Sequence, residues 1–372
     1  MPEAPPGGTA PDAVRVCVID LGTNSFHAVI VDAHANGSFE VLDKIKEMVR
    51  LGEGGMAQHH LTSAAMQRGL DALVRIQILA EGWGVEDYLA YATSAIREAD
   101  NGGDFIVRVR ETVGINIRTI SGEMEARLIW QGVRRAVEMP APALLVDIGG
   151  GSTEFIVGTG RTIHLAESRK LGAARMTERF ITTDPVEPGE FKALRAYYRR
   201  QLRPVLAVAR EYGVAEIVGS SGTMENIAQV YVNAHGDASR SIYQQPLAAR
   251  AVRTVTKQLM RSSRAEREAM AGIDEKRLDQ VVAGAILVDV LLKDLAVDHL
   301  RISPHALREG MVVHYIEQNH GRLEHLAAHV GVRRRSVYEL GHRCHWEEGH
   351  ARHVASLALG LFDALRPLHR LG

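Results

Sequence analysis

The chain has 372 residues, 46% hydrophobic and 24% charged, a composition typical of a globular protein with a buried core. Its 44 basic and 45 acidic residues nearly cancel, which excludes a global field favouring nucleic acid or an anionic membrane. Two cysteines exclude a disulfide framework and predict a reducing, cytoplasmic location. No apolar run approaches the roughly 18 residues that a membrane span needs.

Segment 1–13 is rich in Pro, Gly and Ala and lacks the apolar centre of a secretory signal, so it is predicted to be a disordered tail. Three strand patterns follow: VRVCVID, FHAVIVDA and FEVLDKIKEMVRL. A helix is predicted from about Thr62, which can cap it, to Gly82. DYLAYAT, DFIVRVRETVG, INIRTIS and GEMEARLIWQGVRRAV then alternate strand and helix. This order predicts a mixed α/β layer fold.

The opening pattern is repeated around Leu144, where ALLVDIG, TEFIVGT and TIHLAESRKLG again predict three strands followed by helices. The strand EIVGSSG and the helix TMENIAQVYV come later, and LRIS precedes the helix HALREGMVVHYI. The repetition predicts two related lobes, 14–138 and 139–318, with the last helix able to pack back on the first lobe. A smaller, His-rich helical extension is predicted over 319–372.

Each lobe opens with two strands joined by D-x-G-x-x-S. The first copy contains Asp20, Gly22, Thr23, Asn24 and Ser25, and the second contains Asp147, Gly149, Gly150, Gly151, Ser152 and Thr153. Glycines allow a tight turn, with positive φ where needed, and its backbone N–H groups form a concave site for phosphate oxygens. The hydroxyls add donors, whereas the two aspartates suit Mg²⁺ or its bound water. Two such hairpins facing each other would hold one phosphate chain from both sides.

Other interpretations of these turns fit less well. An ordinary Gly-turn hairpin explains one copy better than two copies at the start of sister lobes. A dinucleotide fingerprint requires a helix after the glycines, where the strand TEFIVG follows, and no Lys completes a Walker A motif. Glu154 starts that strand, so its carboxylate can point back to the turn. Glu123 and Glu125 lie in the first turn of a helix capped by Ser121, where acidic residues also favour the macrodipole.

Several segments, in this order, resemble the exopolyphosphatase/guanosine-pentaphosphate phosphohydrolase (Ppx/GppA) phosphatases of the actin/sugar-kinase/Hsp70 ATPase superfamily. They are VIDLGTNSFH, VRLGEG, ATSAIREADNG, ISGEMEARLIWQGV, LLVDIGGGSTEF, KLGAARMTERF, GSSGTMENIA and ISPHALREGM. The resemblance implies two RNase H-like lobes around a cleft, Mg²⁺ or Mn²⁺ as cofactor, and a homodimer. It also implies hydrolysis of the terminal phosphate of inorganic polyphosphate or guanosine pentaphosphate.

The resemblance also implies roles for single residues. Glu125 takes the position of the base that activates water, and Met124 replaces a Glu that is usual beside it. Asp147 and Glu154 take the positions of the metal-binding and water-orienting carboxylates, and Asp20 of the first turn completes the predicted metal site.

The phosphate-binding loops of the family fall on Gly22–Ser25 and Gly149–Thr153. Arg97 of the ATSAIRE segment would offer a guanidinium to phosphate, with a solvated surface arginine as the alternative. The remaining segments imply less: the GSSG turn is expected to be partly structural and partly cleft lining, and two neighbouring residues of LREG are expected to form an ion pair. These residues are Gly219, Gly222 and Thr223 in the turn, and Arg308 and Glu309 in LREG.

The extension resembles the first helices of an HD-type domain, with His350 at the first metal-ligand position. No His-Asp pair follows before Gly372, so a complete HD metal site is not expected. A zinc cluster is a weaker alternative, since its five candidates lack clear four-ligand spacing. The candidates are His342, Cys344, His345, His350 and His353. Arg333–Arg335 would either extend a basic track for a polyanion or form a solvated helix face.

The sequence thus predicts a metal-assisted exopolyphosphatase, a phosphoanhydride hydrolase, with guanosine pentaphosphate as the alternative substrate. Neither nucleic acid nor a membrane is predicted as a partner. Two other functions stay open. A small-molecule kinase of the same superfamily would need an adenosine pocket, and a non-catalytic sensor of polyphosphate or an alarmone would need no water-activating Glu.

Overall fold

The structure, a computed structural model, describes residues 13–235, 241–243, 246–329, 340–341, 344, 346–365 and 368. The strands in these residues form one five-stranded and one six-stranded sheet. In chain order they are β1 Ala13–Leu21, β2 Ser25–His34, β3 Phe39–Met48, β4 Asp87–Ala92, β5 Ile117–Thr119, β6 Ala143–Ile148, β7 Thr153–Gly158, β8 Ile163–Arg169, β9 Glu216–Ser220, β10 Leu247–Ala248 and β11 His299–Ile302.

The two sheets share one plan. The first has the order β3-β2-β1-β4-β5, in which β1, β2 and β3 form an antiparallel meander and β4 and β5 run parallel to β1. The second has the order β10-β11-β9-β6-β7-β8, with β6, β7 and β8 as the meander and β9 parallel to β6. Helices cover the sheets, so β1 and β6 are apolar along nearly their whole length. The predicted α/β class with two RNase H-like lobes is confirmed.

Helices follow the strands as the sequence pattern predicts. The side chain of Thr62 accepts a hydrogen bond from Ala65 N, and that of Ser121 accepts one from Met124 N, so both predicted N-caps are confirmed. The helices are α1 Ser63–Gly82, α2 Ser94–Glu98, α3 Gly102–Val113, α4 Gly122–Val133, α5 Ala173–Phe180, α6 Pro188–Glu211, α7 Ser221–His235, α8 Ala249–Arg261, α9 Arg264–Glu268, α10 Val281–Asp294, α11 Leu307–Gln318, α12 His320–His329 and α13 Glu348–Ala364.

Two helices join the lobes by crossing between them. Helix α4 precedes the second lobe in sequence but packs on β7 and β8, whereas α11 packs on β1 and β2 of the first sheet. The two helices cross at glycines, since a Cβ at Gly310 would collide with the carbonyl of Leu128, and one at Gly132 with that of Ala306. A shared apolar core therefore lies between the lobes. The lobe boundary near residue 138 stays a prediction, because helices pack across it.

The extension contains α12 and α13. Within the described residues no helix combines the length and the apolar character that crossing a membrane requires. His350, His353 and Cys344 are exposed, and no group of three metal-ligating side chains is found in the described part of the chain. His342, His345 and Arg333–Arg335 lie outside the described residues. The HD resemblance, the homodimer and the cytoplasmic location stay predictions.

Candidate active site

A cavity of about 140 Å³ lies where the β1–β2 turn faces the β6–β7 turn. The carboxyl ends of the parallel strands, where ligands bind in open α/β sheets, meet at this place. The cavity is lined by Asp20, Gly22, Thr23, Asn24, Ser25, His27, Thr93, Glu125, Ile129, Asp147, Ile148, Gly149, Gly150, Gly151, Ser152, Glu154, Ser221, Gly222, Arg277, Ala306, Leu307 and Arg308. The structure thus brings most of the predicted site residues into one cavity.

The glycines of the two turns allow the turns to approach each other closely, and they do not adopt a left-handed backbone conformation. None of Gly22, Gly149, Gly150 and Gly151 has positive φ, so the turns do not need the left-handed conformation that glycine would allow. A Cβ at Gly151 would lie 2.6 Å from Thr23 Oγ1 and 2.7 Å from the hydroxyl of Ser94. The turns are therefore packed against each other, and only glycine leaves room for the contact.

Four carboxylates enter the cavity from four elements. Asp20 and Asp147 are the next-to-last residues of β1 and β6, Glu154 is the second residue of β7, and Glu125 lies in the first turn of α4. The Ser220 hydroxyl donates to Asp147 Oδ2 at 2.6 Å, and the Ser168 hydroxyl donates to Glu154 Oε1 at 2.7 Å. Helix α4 packs on β7 and β8, and this packing aims the side chain of Glu125 at the turns.

Burial raises the pKa values of all four carboxylates, and mutual repulsion adds to the rise for Asp20, Glu125 and Glu154. Burial, with repulsion from Glu125 and Asp147, raises the pKa of Asp20 to about 8 against the opposing charge of Arg308. Burial raises the pKa of Glu125 to about 7, while Arg97 opposes the shift. Burial also raises the pKa of Asp147, and that of Glu154 is raised by burial and by the charges of Glu125 and Asp147. The site therefore favours either bound protons or a cation.

A divalent ion fits this donor set. Asp20 Oδ1 is buried and has no hydrogen-bond partner, so an acceptor oxygen is left for a ligand. In the described residues no three such side chains form a metal cage on their own. This arrangement suits Mg²⁺, which commonly uses one or two protein carboxylates together with water and substrate phosphates.

Three basic residues complete the cavity and were not predicted as site residues. They are His27 on β2, Arg277 before α10 and Arg308 on α11. His27 could have been found in the sequence, because it follows the loop serine by two residues as Glu154 does in the second copy. No motif marks Arg277, which only the folding of α10 against α7 brings to the cleft.

Two predicted phosphate ligands do not line the cavity. Thr153 is fully buried and its hydroxyl makes no hydrogen bond, since side chains alternate along a strand and Glu154 takes the cavity side. Arg97 lies in the last turn of α2, where its Nη1 donates to Ile120 O at 3.0 Å and to Glu125 Oε2 at 2.8 Å. Arg97 is thus neither a solvated arginine nor a direct part of the lining.

The expectation for the GSSG turn agrees with the structure, and the expectation for Arg308 and Glu309 does not. Gly222 lines the cavity, whereas Gly219 and Thr223 do not, so the GSSG turn is partly structural. The ion pair expected between Arg308 and Glu309 is not formed. Glu309 instead accepts a hydrogen bond from Ala306 N at 2.9 Å, because the start of α11 has unsatisfied N–H groups, and this leaves Arg308 free to face the cavity.

Two glycine turns, four carboxylates and two arginines thus surround one cavity between the two lobes. The sequence profile of the Ppx/GppA phosphatase family matches residues 29–319. The crystal structure of an exopolyphosphatase from Cytophaga hutchinsonii is similar with a TM-score of 0.77 and 32% identity, covering 82% of this chain and 98% of that one. A Ppx/GppA family member from Aquifex aeolicus has a TM-score of 0.70 and 25% identity, covering 82% and 99%.

The chain belongs to the Ppx/GppA phosphatase family. A further structure, of an exopolyphosphatase-like protein, has a TM-score of 0.76 and 26% identity over 82% of this chain and 99% of that one. The predicted family and the predicted enzyme class, a phosphoanhydride hydrolase, are confirmed. Family membership leaves the kinase alternative without support.

Proposed function

We propose that the enzyme is an exopolyphosphatase that releases the terminal phosphate of inorganic polyphosphate by attack of water. One observation carries this proposal. A buried carboxylate, Glu125, faces two phosphate-binding turns across a single polar cavity. A protein that only bound polyphosphate would gain nothing from a buried carboxylate opposite the phosphate, because like charges repel.

The turns and the arginines would hold the terminal phosphoryl group. Backbone N–H groups of Gly22–Ser25 and Gly149–Ser152 and the side chains of Thr23 and Ser25 would donate to its oxygens. The guanidinium groups of Arg277 and Arg308 would offset the charge that three phosphoryl oxygens bring. Positioning and charge stabilisation are the main sources of catalysis in phosphoryl transfer.

Glu125 would act as the base. As the water oxygen forms its bond to the terminal phosphorus, the Glu125 carboxylate accepts the proton from water. The bridging P–O bond breaks, and its electron pair leaves with the shortened polyphosphate. A pKa of about 7 suits this role, because about half of such a base is ionised at neutral pH and the ionised form still accepts a proton well.

The candidate ligands for Mg²⁺ or Mn²⁺ are Asp20, Asp147 and Glu154, of which one or two would hold the ion together with water and substrate phosphate. When bound, such an ion neutralises phosphoryl oxygens and lowers the pKa of a coordinated water. The chain's own contribution is the unpartnered Oδ1 of Asp20 and the carboxylates of Asp147 and Glu154, each oriented by a serine hydroxyl.

Polyphosphate is favoured over guanosine pentaphosphate by the cavity walls. No Phe, Tyr or Trp is among the described residues that line the cavity. A guanine base is commonly held by stacking on an aromatic side chain, whereas a polyphosphate chain needs only donors and cations. The 32% identical exopolyphosphatase structure supports the same choice.

The test is phosphate release from long-chain polyphosphate and from guanosine pentaphosphate, with and without Mg²⁺, by the wild type and Glu125→Gln. We expect Mg²⁺-dependent release with higher kcat/KM for polyphosphate, and a loss of about 10²–10⁴-fold in Glu125→Gln. Glu123→Gln is the matched control, since Glu123 lies on the same helical turn but is exposed and pairs with Arg127.

Three outcomes of these assays would change the proposal. Higher kcat/KM for guanosine pentaphosphate would reassign the substrate within the same chemistry. Binding of either polyanion by folded protein, with no release of phosphate, would support the sensor and overturn the enzyme. Equal activity of the Glu125 and Glu123 variants would remove Glu125 from the role of base.

A further inference from the structure

The two phosphate turns differ at one equivalent position. Asp20 pairs with His27 in the register of β1 and β2, and Asp147 pairs with Glu154 in the register of β6 and β7. Both partners follow the turn serine by two residues, so His27 stands where the second lobe has Glu154. The second position carries a carboxylate for the proposed metal site. The first carries the imidazole of His27, which is not part of that metal site.

His27 connects the turn to helix α11. Its Nε2 lies 2.7 Å from the hydroxyl oxygen of Ser25, and its Nδ1 lies 3.3 Å from Nη1 of Arg308. All three residues line the cavity. The imidazole therefore lies between a phosphate-turn hydroxyl and a cation that is 281 positions away in sequence.

The contact with Arg308 determines which ring nitrogen of His27 carries hydrogen. A guanidinium has N–H donors and no acceptor, so Nδ1 of His27 must accept the hydrogen bond and is unprotonated. The neutral ring then carries its hydrogen on Nε2 and donates to the oxygen of Ser25. The Ser25 hydroxyl hydrogen is thereby left available to a third group.

We infer that His27, oriented by Arg308, is a positioning residue that makes Ser25 a hydrogen-bond donor to the bound phosphoryl group. Phosphate oxygens only accept hydrogen bonds, so the direction of this hydroxyl decides whether Ser25 binds substrate. With the opposite tautomer, Ser25 would donate to His27 and present only lone pairs to phosphate. This inference deepens the proposed function and rests on phosphate binding in this cavity.

The second turn shows the contrast. Glu154 accepts a hydrogen bond from the Ser168 hydroxyl at 2.7 Å, and the hydroxyls of Ser168 and Ser152 lower its pKa against the effect of burial and of its acidic neighbours. A carboxylate accepts hydrogen bonds, so a hydroxyl hydrogen directed at Glu154 is not offered to substrate. The imidazole at the first position does the reverse. The two equivalent positions therefore carry opposite groups, an imidazole that can donate to Ser25 and a carboxylate that only accepts.

The surroundings keep His27 neutral. Burial and the positive charges of Arg308, Lys46 and Arg277 lower the pKa of His27 to about 3. A doubly protonated ring would place its Nδ1–H against the N–H of Arg308, which the hydrogen-bond geometry opposes. The fixed tautomer is thus maintained across the range in which the enzyme would work.

The first test measures the tautomer directly, without any activity. Two-bond ¹H–¹⁵N correlation spectra of the ¹⁵N-histidine-labelled full chain distinguish Nε2–H from Nδ1–H rings, and His27→Gln identifies the signal. We expect a neutral Nε2–H ring in the wild type and loss of the fixed tautomer in Arg308→Met. A neutral Nδ1–H ring in the wild type would overturn the inference.

The second test is a double-mutant cycle on phosphate release and on the affinity for inorganic phosphate. Ser25→Ala and His27→Leu should each lower the rate of phosphate release and the affinity for inorganic phosphate by about 10- to 100-fold. This is the effect of losing one hydrogen bond to a charged group. If His27 acts through Ser25, the double variant should be no weaker than Ser25→Ala. His27→Gln keeps an N–H donor near the position of Nε2 and should restore part of the loss.

The matched control is His314→Gln, a half-buried histidine on α11 outside the cavity, which should change neither quantity. His27 would be only a packing residue if the double variant lost activity and phosphate affinity by the product of the two single losses. The same conclusion would follow if His27→Gln lost as much as His27→Leu. If no polyphosphate is hydrolysed at all, the proposed function fails. The tautomer and the phosphate affinities would still decide the role of His27.

Discussion

Arg97 Nη1 lies 2.8 Å from Oε2 of Glu125, so the arginine expected to bind phosphate is paired with the proposed base. The carboxylate is buried and the arginine is only 20% exposed, so solvent screens the pair weakly. Arg97 also donates to Ile120 O, which anchors it against the strand that precedes α4. The pair links α2 and α4, the two helices that bring these residues to the edge of the cleft.

Replacing Arg97 by Met should change the pH dependence of phosphate release. Burial raises the pKa of Glu125 to about 7 and Arg97 opposes that rise, so its removal should raise the pKa further. A base acts when ionised, hence the rate at pH 7 should fall by about tenfold and recover at higher pH. Profiles of kcat/KM against pH test this, with Arg97→Lys as the charge-retaining control. A profile of unchanged shape with a uniform loss would show that Arg97 acts by another route.

Gly151→Ala should abolish phosphate binding or distort the cleft. Its Cβ would lie 2.6 Å from Thr23 Oγ1, so the two turns would have to move apart. Gly103→Ala in α3 is the control, because a Cβ there meets nothing within 4 Å and alanine favours a helix by roughly 1 kcal/mol. Calorimetric titration with inorganic phosphate, together with thermal unfolding, tests both. Full phosphate affinity in Gly151→Ala would mean that the turns are not held in this contact.

Breaking the buried pair of Arg15 and Asp32 should destabilise the first lobe strongly. Arg15 Nε and Nη2 donate to the two oxygens of Asp32 at 2.8 and 2.9 Å, with side chains 6% and 7% exposed. Asp32→Ala would leave a buried charge unpaired and should lower the free energy of unfolding by about 3–5 kcal/mol. Glu123→Ala breaks an exposed pair and should cost under about 1 kcal/mol. Urea unfolding measures the free energy of unfolding of the two variants, and equal decreases in both would contradict this prediction.

Glu190 should make stability depend on pH in the acidic range. Burial raises the pKa of Glu190, but hydrogen bonds from Thr183, from Thr182 and from Glu187 N lower it from 4.5 to about 2. Because the folded-state pKa is depressed, the stabilisation is fully present above pH 4.5 and is lost as the pH falls toward 2. Glu190→Gln should therefore be less stable than the wild type at pH 7, by about 1 kcal/mol after allowance for partial exposure.

Urea unfolding of the wild type and Glu190→Gln between pH 3 and pH 7 measures that difference, which should shrink on acidification. A difference that stayed constant with pH would indicate that size and packing at position 190, and not its charge, cause the loss.

Short-range patterns predicted the local structure well. The alternation and apolar runs of β1 and β6 come from one strand each, and the caps Thr62 and Ser121 act within three residues, so nearby sequence contains the needed information. The repeated D-x-G-x-x-S motif likewise predicted both turns. The motif did not show why Gly151 must be glycine, because the constraint comes from Thr23 and Ser94 in the other lobe and not from the φ angle of its own turn.

By itself, then, the sequence determined the family, the α/β class, the doubled turn and all four acidic residues that line the cavity, since each depends on neighbours along the chain. Only the tertiary structure decided which charges meet. Arg277 and Arg308 line the cavity, whereas Thr153 does not. Arg97 pairs with Glu125. His27 lies between Ser25 and Arg308. The physical reason is that α4 and α11 each pack on the opposite lobe, a contact between distant segments that no local pattern encodes.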